Sequence, residues 1–285
     1  MHWRIVTLML VSILAMNGAA EARKPKVFLC CETYSLRDYM KRGDYDCISV
    51  MKLMKELGIK GVSINDIYMK SQDKAYLDQI KDAAKRNDII IAAYVVDGSV
   101  ISNNEASRKR EIEYSKERMH TAAYLGAYVI RINIGGLGDS ARDDTVGVDQ
   151  AISSLNELLP QAKELDLKMV LENHGGVTGK ADNIVKIIKA TDPKYVGSCP
   201  DFMNWPKGDY YTELAKVIPY AYHVHAKAHN FDANGEETVV SYDRILKMLK
   251  DSKYSGAVSI EYEGTSDQIE GIKKTRDLIF KYWKM

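Results

Sequence analysis

The chain has 285 residues, 46% of them apolar, enough for the core of one large domain. Its 40 basic and 39 acidic side chains leave a formal net charge of +1, which gives no electrostatic reason to expect nucleic acid or another polyanion as partner. Four cysteines without a CxxC pair are too few for a dense disulfide framework in a chain this long.

In chain order, the first feature is an export signal. A short basic start, MHWR, precedes an apolar run over residues 5–16, and NGAAEA follows. Ala20-Glu21-Ala22 fits a small-x-small cleavage site, so residues 1–22 read as a signal peptide cut after Ala22. The run of twelve falls short of the ~20 residues of a membrane span, and no later segment is long and apolar enough. The mature chain, 23–285, is then expected in the periplasm or outside the cell, without a membrane span. From there strand and helix patterns alternate. Strands are expected at 26–34, 59–66, 88–97, 127–136, 167–176, 194–202, 221–229 and 256–264. Between and after them come helices at 45–58, 71–87 (opening on a Ser71 cap), 104–126, 144–166 (with Pro160 as a kink candidate), 180–192, 210–218, 241–254 and 266–283. Cys30 and Cys31 belong to the first apolar strand and read as small core residues.

Eight strands buried on both faces and separated by helices predict a parallel sheet. Eight such units in a mature chain of this size predict a single-domain (β/α)₈ TIM barrel. A doubly wound open sheet would carry a glycine-rich turn after its first strand, and CCETYSLRD contains no glycine. Catalytic groups of a barrel sit at the C-terminal ends of its strands. The polar residues there are Glu32 and Tyr34, Asn65 and Asp66, Asp97, Arg131 and Asn133, Glu172 with Asn173 and His174, Asp201 with Asn204, the histidines and Lys227 of YHVHAKAH, and Glu261 and Glu263. Side-chain alternation puts His223, His225 and Lys227 on one strand face and Glu261 and Glu263 on another. Glu172, Asp201, His225 and Glu261 follow at intervals of 29, 24 and 36 residues, about one βα unit each, and are the candidate metal ligands. Three carboxylates and one imidazole suit Mn²⁺, Mg²⁺ or Co²⁺, and also Zn²⁺. His223 lies one pleat deeper than His225 and reads as a hydrogen-bonded interior residue or an orienter of the ligands. His174 and His229 have weaker claims as ligands.

The motifs VLENHGG, VGSCPDFMNW, HVHAKAH and SIEYEG, in this order, resemble those of the sugar phosphate isomerase/epimerase superfamily, the xylose isomerase-like TIM barrels. The resemblance covers nearly the whole mature chain. It implies a divalent-metal site on Glu172, Asp201, His225 and Glu261. It also implies, from the related ketose 3-epimerases, that Glu172 and Glu261 exchange the substrate proton and that Asn204 touches substrate. This chain departs from the family's His-x-Lys-Asp pattern, with Ala228 in place of the Asp, which bears on the substrate rather than on the metal. Export is a second departure, because phosphorylated sugars are scarce outside the cytoplasm.

The leading expectation is therefore a metal-dependent isomerase or epimerase of a free or oxidised sugar. It would remove a proton next to a carbonyl, with the enediolate stabilised by the metal. Glu172 and Glu261 would act as acid and base, and Asn204, Lys227, Arg131, His174 and Glu32 would line the substrate. A lyase resembling inosose dehydratase, acting on a keto-sugar or keto-glycoside, is one alternative. A non-catalytic periplasmic sugar-binding barrel is another. The expected partner is a small carbohydrate and not nucleic acid, and assembly into a homo-oligomer is left open.

Overall fold

A computed structural model describes residues 27–206, 208 and 210–285, so the expected signal peptide lies outside the described residues. Eight parallel strands form one sheet in the order β6-β5-β4-β3-β2-β1-β8-β7: β1 (Phe28–Glu32), β2 (Gly61–Asn65), β3 (Ile90–Val96), β4 (Val129–Ile132), β5 (Lys168–Glu172), β6 (Val196–Cys199), β7 (Val224–Ala228) and β8 (Ala257–Tyr262). The two ends of that order meet. Parallel bridges join Ser198 to Ala221 and Asp201 to His225, and the His225 N–H donates to the Pro200 carbonyl at 3.0 Å. The sheet is thus a closed barrel, and its closing seam runs through two of the four candidate ligands.

Helices α1 (Arg37–Arg42), α2 (Val50–Glu56), α3 (Lys74–Asn87), α4 (Glu105–Leu125), α5 (Ser140–Arg142), α6 (Val148–Glu164), α7 (Ala181–Ala190), α8 (Tyr210–Val217), α9 (Tyr242–Asp251) and α10 (Gln268–Tyr282) connect the strands. Most of the long helices turn an apolar stripe inward, whereas the longest, α4, also buries Arg108, Ser115 and Thr121. In α9 the stripe is Tyr242, Ile245, Leu246 and Leu249, all fully buried, and each such side chain contributes roughly 1.5–3 kcal/mol. The local start and stop signals are legible in the residues. The Asn104 side chain accepts from the Ser107 N–H to open α4, and Gly126, at φ 85°, ends it in the left-handed region. The Ser241 side chain accepts from the Arg244 N–H to open α9.

Two expectations are corrected. The third helix does not open on Ser71: it begins at Lys74, and the Ser71 hydroxyl instead accepts from the Asp73 N–H at 2.9 Å in the approach to the helix. Helices α1 and α5 fall outside the expected elements, because RDYMKR and SAR are too short to show a periodic stripe. Pro160 lies inside one unbroken helix, α6. All four cysteines are buried and unpaired.

Candidate metal centre

The barrel interior is layered. In its middle, the Ser63 hydroxyl lies 3.1 Å from His223 Nε2, 3.1 Å from the Ser259 hydroxyl and 3.4 Å from Cys30 Sγ. Burial holds the His223 imidazole well below its usual pKa, so it is a neutral member of this layer. Its ring meets that of His225 edge-on, with centroids 5.4 Å apart. His223 is thus hydrogen-bonded in the interior and stays out of the ligand cluster.

One layer up, at the C-terminal strand ends, Glu172, Asp201, His225 and Glu261 each present one ligand atom, and these atoms lie within 4.8 Å of one another. All four residues are buried. His225 Nδ1 stands 2.8 Å from Glu172 Oε1 and 3.6 Å from Glu261 Oε2, so this ring nitrogen faces the carboxylates. Asp201 divides its two oxygens. Oδ1 accepts from the backbone N–H groups of Met203 and Asn204 at 2.7 and 2.8 Å, while Oδ2 has no hydrogen-bond partner. Glu172 Oε2 and Glu261 Oε2 are also buried without one. Buried carboxylate oxygens without donors are costly. Glu172 Oε2 lies 3.2 Å from Arg131 Nε and Glu261 Oε2 lies 3.3 Å from the Lys227 ammonium, and three buried carboxylates converging beside an imidazole fit a divalent cation.

The electrostatics agree. Burial, only partly offset by the Lys227 ammonium, pushes the Asp201 carboxyl well above the usual range, and the neighbouring Glu261 and Glu172 push it further. Burial also opposes ionisation of Glu172 and Glu261. His225 and Arg131 nevertheless hold Glu172 below its usual value, and Lys227 and His225 do the same for Glu261. Such crowding of like charge favours a cation.

Above the cluster opens a cavity of about 600 Å³, lined by Tyr34, Asn65, Asp97, Arg131, Asn133, His174, Asn204, Lys227, Glu261 and Glu263, with the Gly175 backbone. Four of the five expected substrate contacts therefore line it: Asn204, Lys227, Arg131 and His174. Glu32 does not. It is buried beneath, where Oε2 accepts from the Tyr34 N–H, Oε1 has no partner, and burial together with Glu261 raises its carboxyl to about 8. Arg131 is already engaged: Nη1 donates to the Val96 carbonyl at 3.1 Å, Nη2 pairs with Asp97 at 3.0 Å, and Nε lies 3.2 Å from Glu172 Oε2. At the end of β2 the two polar residues divide. Asn65 faces the cavity, whereas Asp66 accepts from the hydroxyls of Tyr94 and Tyr114 and the amide of Gln72 in a network outside it.

One positioning residue gave no sign of its role in the sequence. Asn173, fully buried, accepts from the Asp201 N–H at 2.7 Å and donates from Nδ2 to the Asp201 carbonyl at 3.1 Å. Its partner is backbone, so no spacing of charged residues could reveal it.

A closed parallel barrel with a buried carboxylate–imidazole cluster under a polar mouth defines a barrel with a candidate metal site at its catalytic end. Residues 51–282 match the family of xylose isomerase-like TIM barrels, and the chain belongs to that family. An uncharacterized protein of Methanocaldococcus jannaschii is 24% identical over 229 residues, covering 75% of this chain and 76% of its own. A C-glycoside deglycosidase alpha subunit of Arthrobacter globiformis is 43% identical over 49 residues, a local match covering 17% of this chain and 13% of that protein. The chain shares its fold with the IOLI protein crystallised with a zinc atom (TM-score 0.74, 17% identity, 90% of this chain and 100% of that one). It shares it also with a 3-keto-D-glucoside 4-epimerase from E. coli (TM-score 0.69, 16% identity, 90% and 100%).

Proposed function

We propose that the protein is a divalent-metal-dependent isomerase or epimerase that moves a proton on a carbon next to the carbonyl of an uncharged sugar or oxidised sugar. The observation that carries this reading is the buried cluster of Glu172, Asp201, His225 and Glu261, whose ligand atoms lie within 4.8 Å of one another below a polar cavity that Glu261 lines. Glu172, Asp201, His225 and Glu261 would hold the divalent cation, which would supply a Lewis acid for the substrate carbonyl. Glu172 and Glu261 both approach His225 Nδ1, at 2.8 and 3.6 Å, and in this reading one removes the proton and the other returns it. Asn204, Lys227 and His174 hold substrate oxygens, and Asp97 and Glu172 keep the Arg131 guanidinium fixed against the cavity wall. The two strongly basic residues of the lining, Arg131 and Lys227, are each paired with carboxylates, which supports an uncharged substrate over a phosphorylated one.

Glu261→Gln tests the assignment. Loss of turnover by at least about a hundredfold, with metal affinity reduced, is expected; unchanged metal binding and unchanged turnover would refute it. A second reading, a lyase on keto-glycosides, is favoured by the local matches to deglycosidase alpha subunits, 42–44% identical over 48–52 residues. Product mass separates the two: elimination releases water or an aglycone, and epimerisation leaves the mass unchanged. The proposed site of action is the periplasm or cell exterior after cleavage behind Ala22, which N-terminal sequencing of the fractionated protein checks.

A further inference from the structure

The ammonium of Lys227 sits between two sets of carboxylates. On the inner side, Nζ lies 3.3 Å from Glu261 Oε2 and 3.6 Å from Asp201 Oδ2, both candidate metal ligands. On the outer side it lies 2.8 Å from Glu263 Oε1 and 3.1 Å from Asn204 Oδ1. The strand register enforces this placement. Lys227 on β7 is directly opposite Glu261 on β8, and Glu263 follows two residues later on the same face, at the cavity rim. Lys227 is 5% exposed, whereas the Glu263 side chain is 29% exposed. An ammonium within salt-bridge reach of two ligand carboxylates competes with a divalent cation for them and also repels it across a few ångströms. The nearest carboxylate to Lys227 is Glu263, which is not a ligand.

We infer that Glu263 is a positioning residue that sets metal affinity: by holding the Lys227 ammonium toward the rim, it keeps that charge from taking over Glu261 and Asp201. This inference rests on the metal-site reading above. Glu263 needs no contact with the metal to act in this way, since its effect passes through Lys227. The same arrangement directs one N–H donor of Lys227 to Asn204 at the cavity wall, so the pair links the metal centre to the substrate side.

The test is a double-mutant cycle on the full mature chain, reading the Kd for Mn²⁺ by isothermal titration, with circular dichroism and thermal melts confirming the fold of each variant. Glu263→Gln is expected to weaken Mn²⁺ binding about 10- to 100-fold, the range found when residues supporting metal ligands are removed. Lys227→Met is expected to tighten it, and Lys227→Gln serves if the methionine variant does not fold. In either Lys227 background, adding Glu263→Gln should change the Kd less than about threefold. Glu263→Asp should recover part of the loss. Equal Kd values for wild type and Glu263→Gln overturn the inference and leave the metal site standing. So does a Glu263→Gln loss that persists in full without Lys227, because the carboxylate would then act directly through its field. If the wild-type protein binds no divalent metal, both this inference and the metal reading fall.

Discussion

Asn173 offers no ligand atom, yet it fixes the backbone of one candidate ligand, Asp201. Its amide closes a two-point contact with the Asp201 N–H and carbonyl, next to the seam where β6 meets β7. Asn173→Ala should leave those two buried backbone groups without their side-chain partner, at a cost of roughly 1–3 kcal/mol. It should also weaken metal binding about 10- to 100-fold without removing a ligand. Denaturant unfolding and metal titration measure the two effects separately, and an unchanged metal Kd would show that Asp201 is held by the β6–β7 seam alone. At this scale the sequence was informative where chemistry repeats with strand spacing. Glu172, Asp201, His225 and Glu261 stand one βα unit apart and converge as that spacing required. It was uninformative where a side chain serves the backbone, as Asn173 does. It was also uninformative where a role depends on depth: Glu32 and Tyr34 share a strand end, but only Tyr34 reaches the cavity.

Among the elements, the β4 and β5 loops meet backbone to backbone at the mouth. Gly176 has φ 53°, and a Cβ there would stand 2.2 Å from the Gly135 carbonyl oxygen and 2.8 Å from Gly136 Cα. The Val177 N–H also donates to that Gly135 carbonyl at 3.0 Å, so the loops cannot separate without breaking a hydrogen bond. Gly176→Ala should therefore destabilise by at least about 2 kcal/mol, a fall in Tm of roughly 4 °C or more for a chain of this size. A Tm within a degree of wild type would contradict the close packing. The turn before α2 gives a second case. Burial opposes ionisation of Asp46, but the Lys70 ammonium 2.6 Å away and the N–H groups of Ser49 and Ile48 hold its carboxyl down to about 2. A carboxyl lowered in the folded state stabilises above its unfolded pKa of about 3.9, and that contribution disappears as pH falls through the folded value. Between about pH 4 and pH 2, the urea midpoint of Asp46→Asn should therefore fall less steeply than that of wild type; parallel slopes would remove Asp46 from the acid response. Element type and order were legible because apolar periodicity marks the βα units, and glycine ends some of the helices, as at Gly126 after α4. Boundaries were less so. Ser71 carries the residue type of a cap, but the chain spends that hydroxyl on Asp73 and starts α3 at Lys74.

For the whole molecule, the seam that closes the barrel also brings the candidate site together. The strands carrying the candidate ligands, β5 to β8, include the pair that closes the barrel, and Asp201 and His225 are bridged to each other across that seam. A cation bound there would tie both sides of the seam and stabilise the fold as well as the chemistry, so chelation should lower Tm and Mn²⁺ should restore it. Among the described residues no helix is long and apolar enough to cross a membrane. The central claim is that metal and carboxylates together move a proton at a carbon beside a carbonyl. Deuterium uptake from D₂O into free and keto-sugars, followed by mass spectrometry with chelated and Mn²⁺-restored protein, tests it most directly. Uptake of one deuterium by at least one such sugar is expected, lost on chelation, regained with Mn²⁺ and absent in Glu261→Gln. Sugar binding with no deuterium uptake into any of the sugars, in either metal state, would contradict it and leave a sugar-binding barrel in its place.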